Sequence, residues 1–299
     1  TQDATEPRCP SSAVASSRTS RSFDVDSWPK PKRQKVAAML TQLRPRPTDL
    51  MRAAGMQPDP WQRDVLLSDA PRIALLCSRQ SGKSTTTAAL AAFTAIFQPG
   101  SLTLLLSPSL RQSAELFRKV LDFYRAVPGA PRPTSDSALR MELSNGSRVV
   151  SLPGEESTIR GYSSVSLLVV DEAARVPDSL YHSVRPMLAV SGGRLVALST
   201  PWAKAGWYHA AWTSSEPWER FRVTAADCPR IPAAFLEEER RALPPSVFAR
   251  EYEATFTDSE DAYFRDSDIE RALSSYVSPL FPEEAPVLPA PLFLPEKEK

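Results

Sequence analysis

Histidine and cysteine are scarce in this chain of 299 residues, and their scarcity removes several kinds of chemistry. The two histidines, His182 and His209, stand far from one another and from any cysteine at ligand spacing, so neither supports a metal site. The three cysteines, Cys9, Cys77 and Cys228, are too widely separated for a zinc knuckle and supply no disulfide framework, which fits a reducing compartment. No apolar run approaches the roughly 18 residues that suggest a membrane span, so a soluble protein is expected. The stretch from Thr1 has no apolar signal core and reads as a processed or excerpted end. An excess of one charge is missing as well. Lys and Arg number 36 against 35 Asp and Glu, a net charge of +1, which is not the balance of an obligate nucleic-acid binder and leaves room only for a local basic face.

What is present is a globular composition, 42% hydrophobic, long enough for one large domain or two ordinary ones. Residues 1 to 28 are rich in Ser, Thr, Arg and Pro and hold almost no large apolar side chains, so disorder is expected there. Residues 29 to 55 follow as a helical lead-in that opens with the basic run Pro29 to Lys35, read as a solvated tail. Residues 56 to 265 form the expected domain, and residues 266 to 299 a short helix and a linker-like tail in which repeated prolines forbid regular structure. Inside the domain, short apolar runs alternate with helical stretches, which predicts an α/β fold around a mostly parallel sheet. Strands are predicted over Ile73 to Cys77, Leu102 to Ser107, Leu167 to Val170 and Arg194 to Leu198, and helices over Lys83 to Phe97, Ser109 to Arg125 and Asp178 to Val190. Leu139 to Leu143 and Arg148 to Leu152 flank Asn145-Gly146, a hairpin signal because that turn needs positive φ.

The segment Cys77-Ser78-Arg79-Gln80-Ser81-Gly82-Lys83-Ser84 ends a predicted strand and opens a predicted helix, the context a phosphate-binding loop requires. Backbone N–H groups from Ser78 through Gln80, Ser81 and Gly82 to Thr85 would cradle phosphate oxygens. Lys83 would reach the β and γ phosphates of ATP, and the Ser84 hydroxyl would ligate Mg²⁺. The usual first glycine of such a loop is missing, with Cys77 in its place. Leu167-Leu168-Val169-Val170-Asp171-Glu172 is an apolar strand that ends in two carboxylates, suited to Asp171 holding Mg²⁺ and Glu172 polarising the attacking water. Ser199 and Thr200 end the next strand, where they would sense the γ-phosphate or merely form a strand exit. Upstream, Trp61 is a core candidate and the Gln62 amide could pair with both donor and acceptor edges of adenine. Trp202, Trp207, Trp212 and Trp218 crowd the segment after Pro201 and are read as packing residues ahead of base-stacking ones.

With these residues in view the chain resembles the large-terminase ATPase family of tailed viruses, whose phosphate loop reads Ser-Arg-Gln-x-Gly-Lys-Ser/Thr, as Ser78 to Ser84 do. The likeness extends through Trp61-Gln62, Arg160-Gly161, Asp171-Glu172-Ala173, Ser199-Thr200-Pro201 and Phe248-Ala249-Arg250-Glu251-Tyr252 with Phe256, over about residues 56 to 265. It implies a RecA-like (ASCE) P-loop NTPase core in which Arg79 stabilises the transferring phosphoryl group in cis and Gln62 recognises adenine. It further implies a homo-oligomeric ring that drives double-stranded DNA into a procapsid, with a portal protein and a small terminase subunit as partners, in the cytoplasm of the host. The metal-dependent nuclease region of the family is not matched; Asp266, Asp268 and Glu270 read as a solvated helix face, so ATP hydrolysis without DNA cleavage is expected. A helicase-like ATPase and a nucleotide-binding remnant without turnover are the alternatives. The first would need a second similar domain, and the second sits poorly with intact Lys83, Ser84, Asp171 and Glu172.

Overall fold

The computed structural model describes residues 45–154 and 161–258, with Pro29 and Ala272 besides. The N-terminal tail, the basic run after Pro29, Arg160, the acids Asp266, Asp268 and Glu270, and the proline-rich tail lie outside the described residues. The strands are β1 (Arg72–Cys77), β2 (Leu102–Ser107), β3 (Pro133–Asp136), β4 (Arg140–Leu143), β5 (Arg148–Pro153), β6 (Leu167–Asp171), β7 (Arg194–Ser199) and β8 (Glu219–Val223). They form a single sheet in the order β3-β4-β5-β2-β6-β7-β1-β8. Pairing is parallel from β5 to β8 and antiparallel at the β3-β4 and β4-β5 edge. The antiparallel edge comes from the hairpin predicted at Asn145-Gly146, where Gly146 has φ of +81°.

The alternation of side chains along each strand explains how one sheet serves two cores. Ile73, Leu75 and Cys77 of β1, with Leu105, Val169, Val196 and Leu198, face one layer of helices. Ala74 and Leu76, with Leu104, Leu106, Leu168, Val170 and Ala197, face the other. On the first face lie α1 (Pro47–Ala53), α2 (Pro60–Leu67), α3 (Lys83–Phe97) and α4 (Leu110–Arg125). Ala88, Ala89, Ala91, Ala92 and Ala95 of α3 are all buried, and their small side chains let a helix that starts at the phosphate loop run close beneath the strands. Leu50 and Met51 of α1 are buried in this same core, so the end of the predicted lead-in is part of the unit. The second face is covered by α5 (Asp178–Val184) and α6 (Gly206–Thr213). Trp207 stacks on Tyr181 at 4.0 Å and donates from its indole N–H to Val176 O at 2.9 Å, while the Tyr208 hydroxyl donates to Leu75 O at 2.7 Å. Trp207 and Trp218 are thus buried packing residues.

Helix α5 ends earlier than the expected Val190. A 3-10 segment over Arg185–Leu188 takes over at Val184, because Pro186 has no N–H and its ring clashes with the preceding turn. Two further helices, α7 (Ala233–Ala242) and α8 (Pro245–Glu251), follow β8. No described helix is long and apolar enough to cross a membrane. The residues fall into two compact units, Thr1–Thr257 and Asp258–Lys299, and everything described below lies within the first.

Candidate functional site

Strands β6, β7 and β1 are neighbours, so the three predicted motifs at their C-terminal ends meet at one edge of the sheet. The phosphate loop leaves β1 at Cys77, whose thiol is fully buried and pushed up to about 12 by that burial. The cysteine therefore serves as a core side chain at the end of the strand. Beyond it the backbone turns through Gln80 at φ +57° and Gly82 at φ +97°. Among the described residues the N–H groups of Gln80, Ser81 and Gly82 find no acceptor. Together with the first-turn N–H groups of α3, which no helix can satisfy internally, they make a nest for an anion.

Several groups hold the loop from behind. Ser78 N–H donates to Val223 O of β8 at 2.8 Å, and Arg79 N–H donates to Glu251 O at the end of α8 at 2.9 Å. The Ser81 hydroxyl returns to Ser78 O at 3.0 Å, and Arg230 donates to Ser81 O at 2.8 Å while pairing with Asp59. A methyl group on Gly82 would lie 2.9 Å from the Gln62 amide nitrogen and 3.2 Å from Arg230, at a φ that disfavours any side chain. We expect Gly82→Ala to cost about 1–3 kcal/mol through strain and collision. Thermal melts and an anion titration would check this, and an unchanged melting temperature would mean that the loop relaxes freely.

At the centre of the site, Lys83 Nζ lies 3.2 Å from Glu172 Oε1 and donates to Thr200 Oγ1 at 3.1 Å. The Ser84 hydroxyl faces Asp171 Oδ2 at 3.5 Å. Ser199 Oγ lies 3.3 Å from Glu172 Oε2 and donates to Thr200 O at 2.7 Å. Glu172 itself sits at φ +50°, an uncommon conformation for a residue with a β-carbon and a mark of a site that constrains its backbone. Lys83, Ser84, Asp171, Glu172, Ser199 and Thr200 are therefore brought together. Of these, Lys83, Glu172 and Thr200 line a cleft of about 580 Å³ whose walls also include Arg79, Gln80 and Glu251.

Burial and the neighbouring Glu172 charge push the Asp171 carboxyl up from 3.8 to about 6. Because the folded value lies above the unfolded one, stability falls as pH rises through the window from about 4 to about 6 and stays lower above it. Asp171→Asn removes that cost. It should raise the unfolding free energy of the ligand-free protein at pH 8 by on the order of 2–3 kcal/mol, a gain that shrinks toward pH 4. A variant no more stable than the parent at pH 8 would contradict this.

Gln62 is not an open adenine-reading edge in this structure. It is 2% exposed; its Oε1 accepts from Asp59 N–H at 2.9 Å and its amide donates to Thr86 Oγ1 at 3.0 Å. Its position three residues into α2 commits the carbonyl to capping that helix, so it braces the loop from behind. Arg79 is at the mouth of the cleft, its side chain 64% exposed and ion-paired with Glu251, which is 12% exposed. Arg230, which also holds the loop, carries no local sequence signal. Glu251 lies in the segment Phe248 to Tyr252, which the family resemblance covers without giving this residue a role. Trp202 is held between Arg175 at 4.0 Å and Arg250 at 4.8 Å from its ring centre.

A family described as the N-terminal part of the large terminase subunit, T4likevirus-type, matches residues 74–271. The large terminase subunit of Thermus virus P23-45 is 25% identical over 261 residues, covering 75% of this chain and 54% of the relative. The chain thus spans about half the length of the curated relatives it matches. Among solved structures, the large terminase ATPase domain of Thermus phage P74-26 aligns with a TM-score of 0.64 at 22% identity, covering 71% of this chain and all of that one. The large terminase of a thermophilic bacteriophage in complex with ADP aligns at 0.54 with 14% identity, covering 71% of this chain and 54% of that one. These likenesses establish the fold as the α/β, RecA-like core of terminase ATPase domains. With the three motifs gathered at the ends of β1, β6 and β7 and the family matched across most of the described residues, the chain belongs to the viral large terminase subunits, in their N-terminal region.

Proposed function

We propose that this chain is the ATP-hydrolysing motor region of a DNA-packaging terminase. The observation that carries the reading is the junction at Lys83, whose ammonium lies 3.2 Å from Glu172 and 3.1 Å from Thr200 beside the Ser84–Asp171 pair. Ser84 and Asp171 together present hard oxygen donors, and burial with the neighbouring Glu172 charge outweighs the nearby cations at the Asp171 carboxylate, which is donor chemistry that suits Mg²⁺. Mg²⁺ held there would neutralise charge on the β and γ oxygens of ATP.

The chain's own residues would do the rest by positioning and electrostatics. The loop N–H groups bind the phosphates, and Lys83 turns from Glu172 toward the γ-phosphate. Its departure leaves the Glu172 carboxylate free to accept a proton from the attacking water, with Ser199 Oγ holding the other carboxylate oxygen in place. Thr200 reports the γ-phosphate to β7, and Arg79 at the cleft mouth adds positive charge to the transferring group. Phosphate release by the parent and by Glu172→Gln, measured beside nucleotide binding, tests the assignment; binding without turnover in the parent would overturn it.

Membership of the family supports coupling of this cycle to the movement of double-stranded DNA into a procapsid, in a homo-oligomeric ring with portal and small-subunit partners. Turnover that rises with duplex DNA and not with single strands is the expected outcome. Strand separation by the chain would favour the helicase-like alternative instead.

A further inference from the structure

The end of β2 carries a buried hydroxyl that no contact of the fold uses. Ser107 is 0% exposed, and its Oγ has no hydrogen-bond partner among the described residues. A hydroxyl taken out of water without a partner costs stability, so its presence asks for a use. Thr103, four residues back on the same strand, is equally buried, and its Oγ1 is also unpartnered. Threonine brings a methyl group to the core besides its hydroxyl, whereas serine brings little else.

The place of Ser107 follows from the pairing of β2 with β6, which sets Leu105 beside Val169 and Leu106 beside Val170. Ser107 and Asp171 are next in that register, with their backbones about 5 Å apart, the spacing of neighbouring strands. Leu105 and Val169 both face the layer of α3 and α4, so the alternation of side chains sends Ser107 and Asp171, two positions on, to that same face. Helix α3 brings Ser84 Oγ to 3.5 Å from Asp171 Oδ2 on this face, while Asp171 Oδ1 accepts from Glu172 N–H at 3.1 Å. Ser107 is fixed from its other side, where β5 pairs it with Pro153 and Gly154 N–H donates to its carbonyl at 2.8 Å. The next residue, Pro108, is part of the cleft wall.

We propose that Ser107 is a positioning residue of the Mg²⁺ site, whose hydroxyl donates to the Asp171 carboxylate when the ion is bound and holds it in its ligating orientation. This inference rests on the reading of Ser84 and Asp171 as the donors to Mg²⁺. A ligating carboxylate is itself held by a hydrogen bond from an outer group, and loss of that group weakens the metal by about 10- to 100-fold. A serine hydroxyl suits the task because it turns about one bond and so can meet the carboxylate with the backbone at rest. It also carries no charge. A lysine or arginine at this position would compete with the cation for Asp171.

Mn²⁺ takes the same octahedral oxygen donors as Mg²⁺ and is read directly by electron paramagnetic resonance, so it is the probe. Titrations in the presence of ADP follow the metal without turnover in the parent, Ser107→Ala and Thr103→Val. Ser107→Ala should weaken Mn²⁺ binding by about 10-fold or more. Thr103→Val removes the other unpartnered hydroxyl about 13 Å away along the strand, and it should change the affinity by less than about 2-fold. Denaturation of the ligand-free proteins supplies a second readout. Both variants should keep or raise the midpoint of the parent, because each loses a buried hydroxyl that has no partner. Unchanged Mn²⁺ affinity in Ser107→Ala would overturn the proposal, as would an equal loss in Thr103→Val, which would mark a general effect of the β2 core. A lower ligand-free midpoint in Ser107→Ala would mean that the hydroxyl is already committed within the fold, and would overturn it too. A parent that binds no Mn²⁺ with ADP fails the Mg²⁺ reading and this inference with it, whereas a parent and a Ser107→Ala variant that bind it alike fail this inference alone.

Discussion

Lys83→Ala is expected to reduce ATP turnover by at least about 10²- to 10³-fold, the scale for losing one charge-stabilising donor in a dry site. The lysine sits in the first turn of α3, where helix geometry aims it across the loop, and it is buried to 9% exposure. Its ammonium is the only side-chain cation within ion-pair distance of Glu172 among the described residues, at 3.2 Å. Alanine therefore removes phosphate stabilisation and leaves a half-buried carboxylate without its partner. Affinity for ATP should fall along with turnover, because the repulsion between Glu172 and the phosphates is no longer offset. Steady-state phosphate release with a parallel binding titration separates the two losses. Activity within tenfold of the parent would remove Lys83 from the site.

Glu172→Gln should have a comparable effect on turnover with the opposite effect on occupancy. General-base assistance contributes roughly 10²- to 10⁴-fold, so hydrolysis should drop by that amount. Glutamine preserves the shape and an oxygen for Ser199, which now lies 3.3 Å from the carboxylate, and it removes a negative charge from the phosphate side of the cleft. It also removes the second-largest influence that raises the Asp171 pKa, which leaves that carboxylate readier to hold a cation. ATP binding should hold or tighten while turnover stops, so the variant traps the nucleotide-bound protein. Full phosphate release by purified Glu172→Gln would sink the catalytic role.

The two predictions rest on residues legible before any coordinates. Lys83 and Ser84 were placed at a helix start, and the helix runs over Lys83–Phe97 as expected, because the apolar period and the loop residues reinforce one another locally. Asp171 and Glu172 were read from a strand whose continuous apolar run implies burial on both faces. Local patterns were less informative where a single residue overrode its neighbours, as when Pro186 ended the α5 helix six residues before the expected Val190. Strands β3 and β8 likewise carry no clear local strand signal. β8 reads Glu-Arg-Phe-Arg-Val, too polar for a buried run, since as an edge strand it is covered on fewer sides.

Gln62 shows how a side chain's chemistry can be read correctly and its use differ. Its amide does offer donors and an acceptor, and in this structure one of each is engaged by Thr86 and by the start of α2. Arg230 and Glu251 lie 149 and 172 residues from the loop partners they hold, and nothing within a window of sequence relates them. The three candidate motifs, a loop of phosphate-binding type, a paired acidic strand end and a hydroxyl-bearing strand exit, were legible in the sequence alone, because each is a local string whose backbone geometry its own residues dictate. Tertiary structure alone decided that Lys83 meets Glu172 and Thr200, that Arg79 rests on Glu251, and that Gln62 faces inward. Those contacts depend on strand order and on which helix end abuts which loop, and such long-range closures arise from packing the whole sheet.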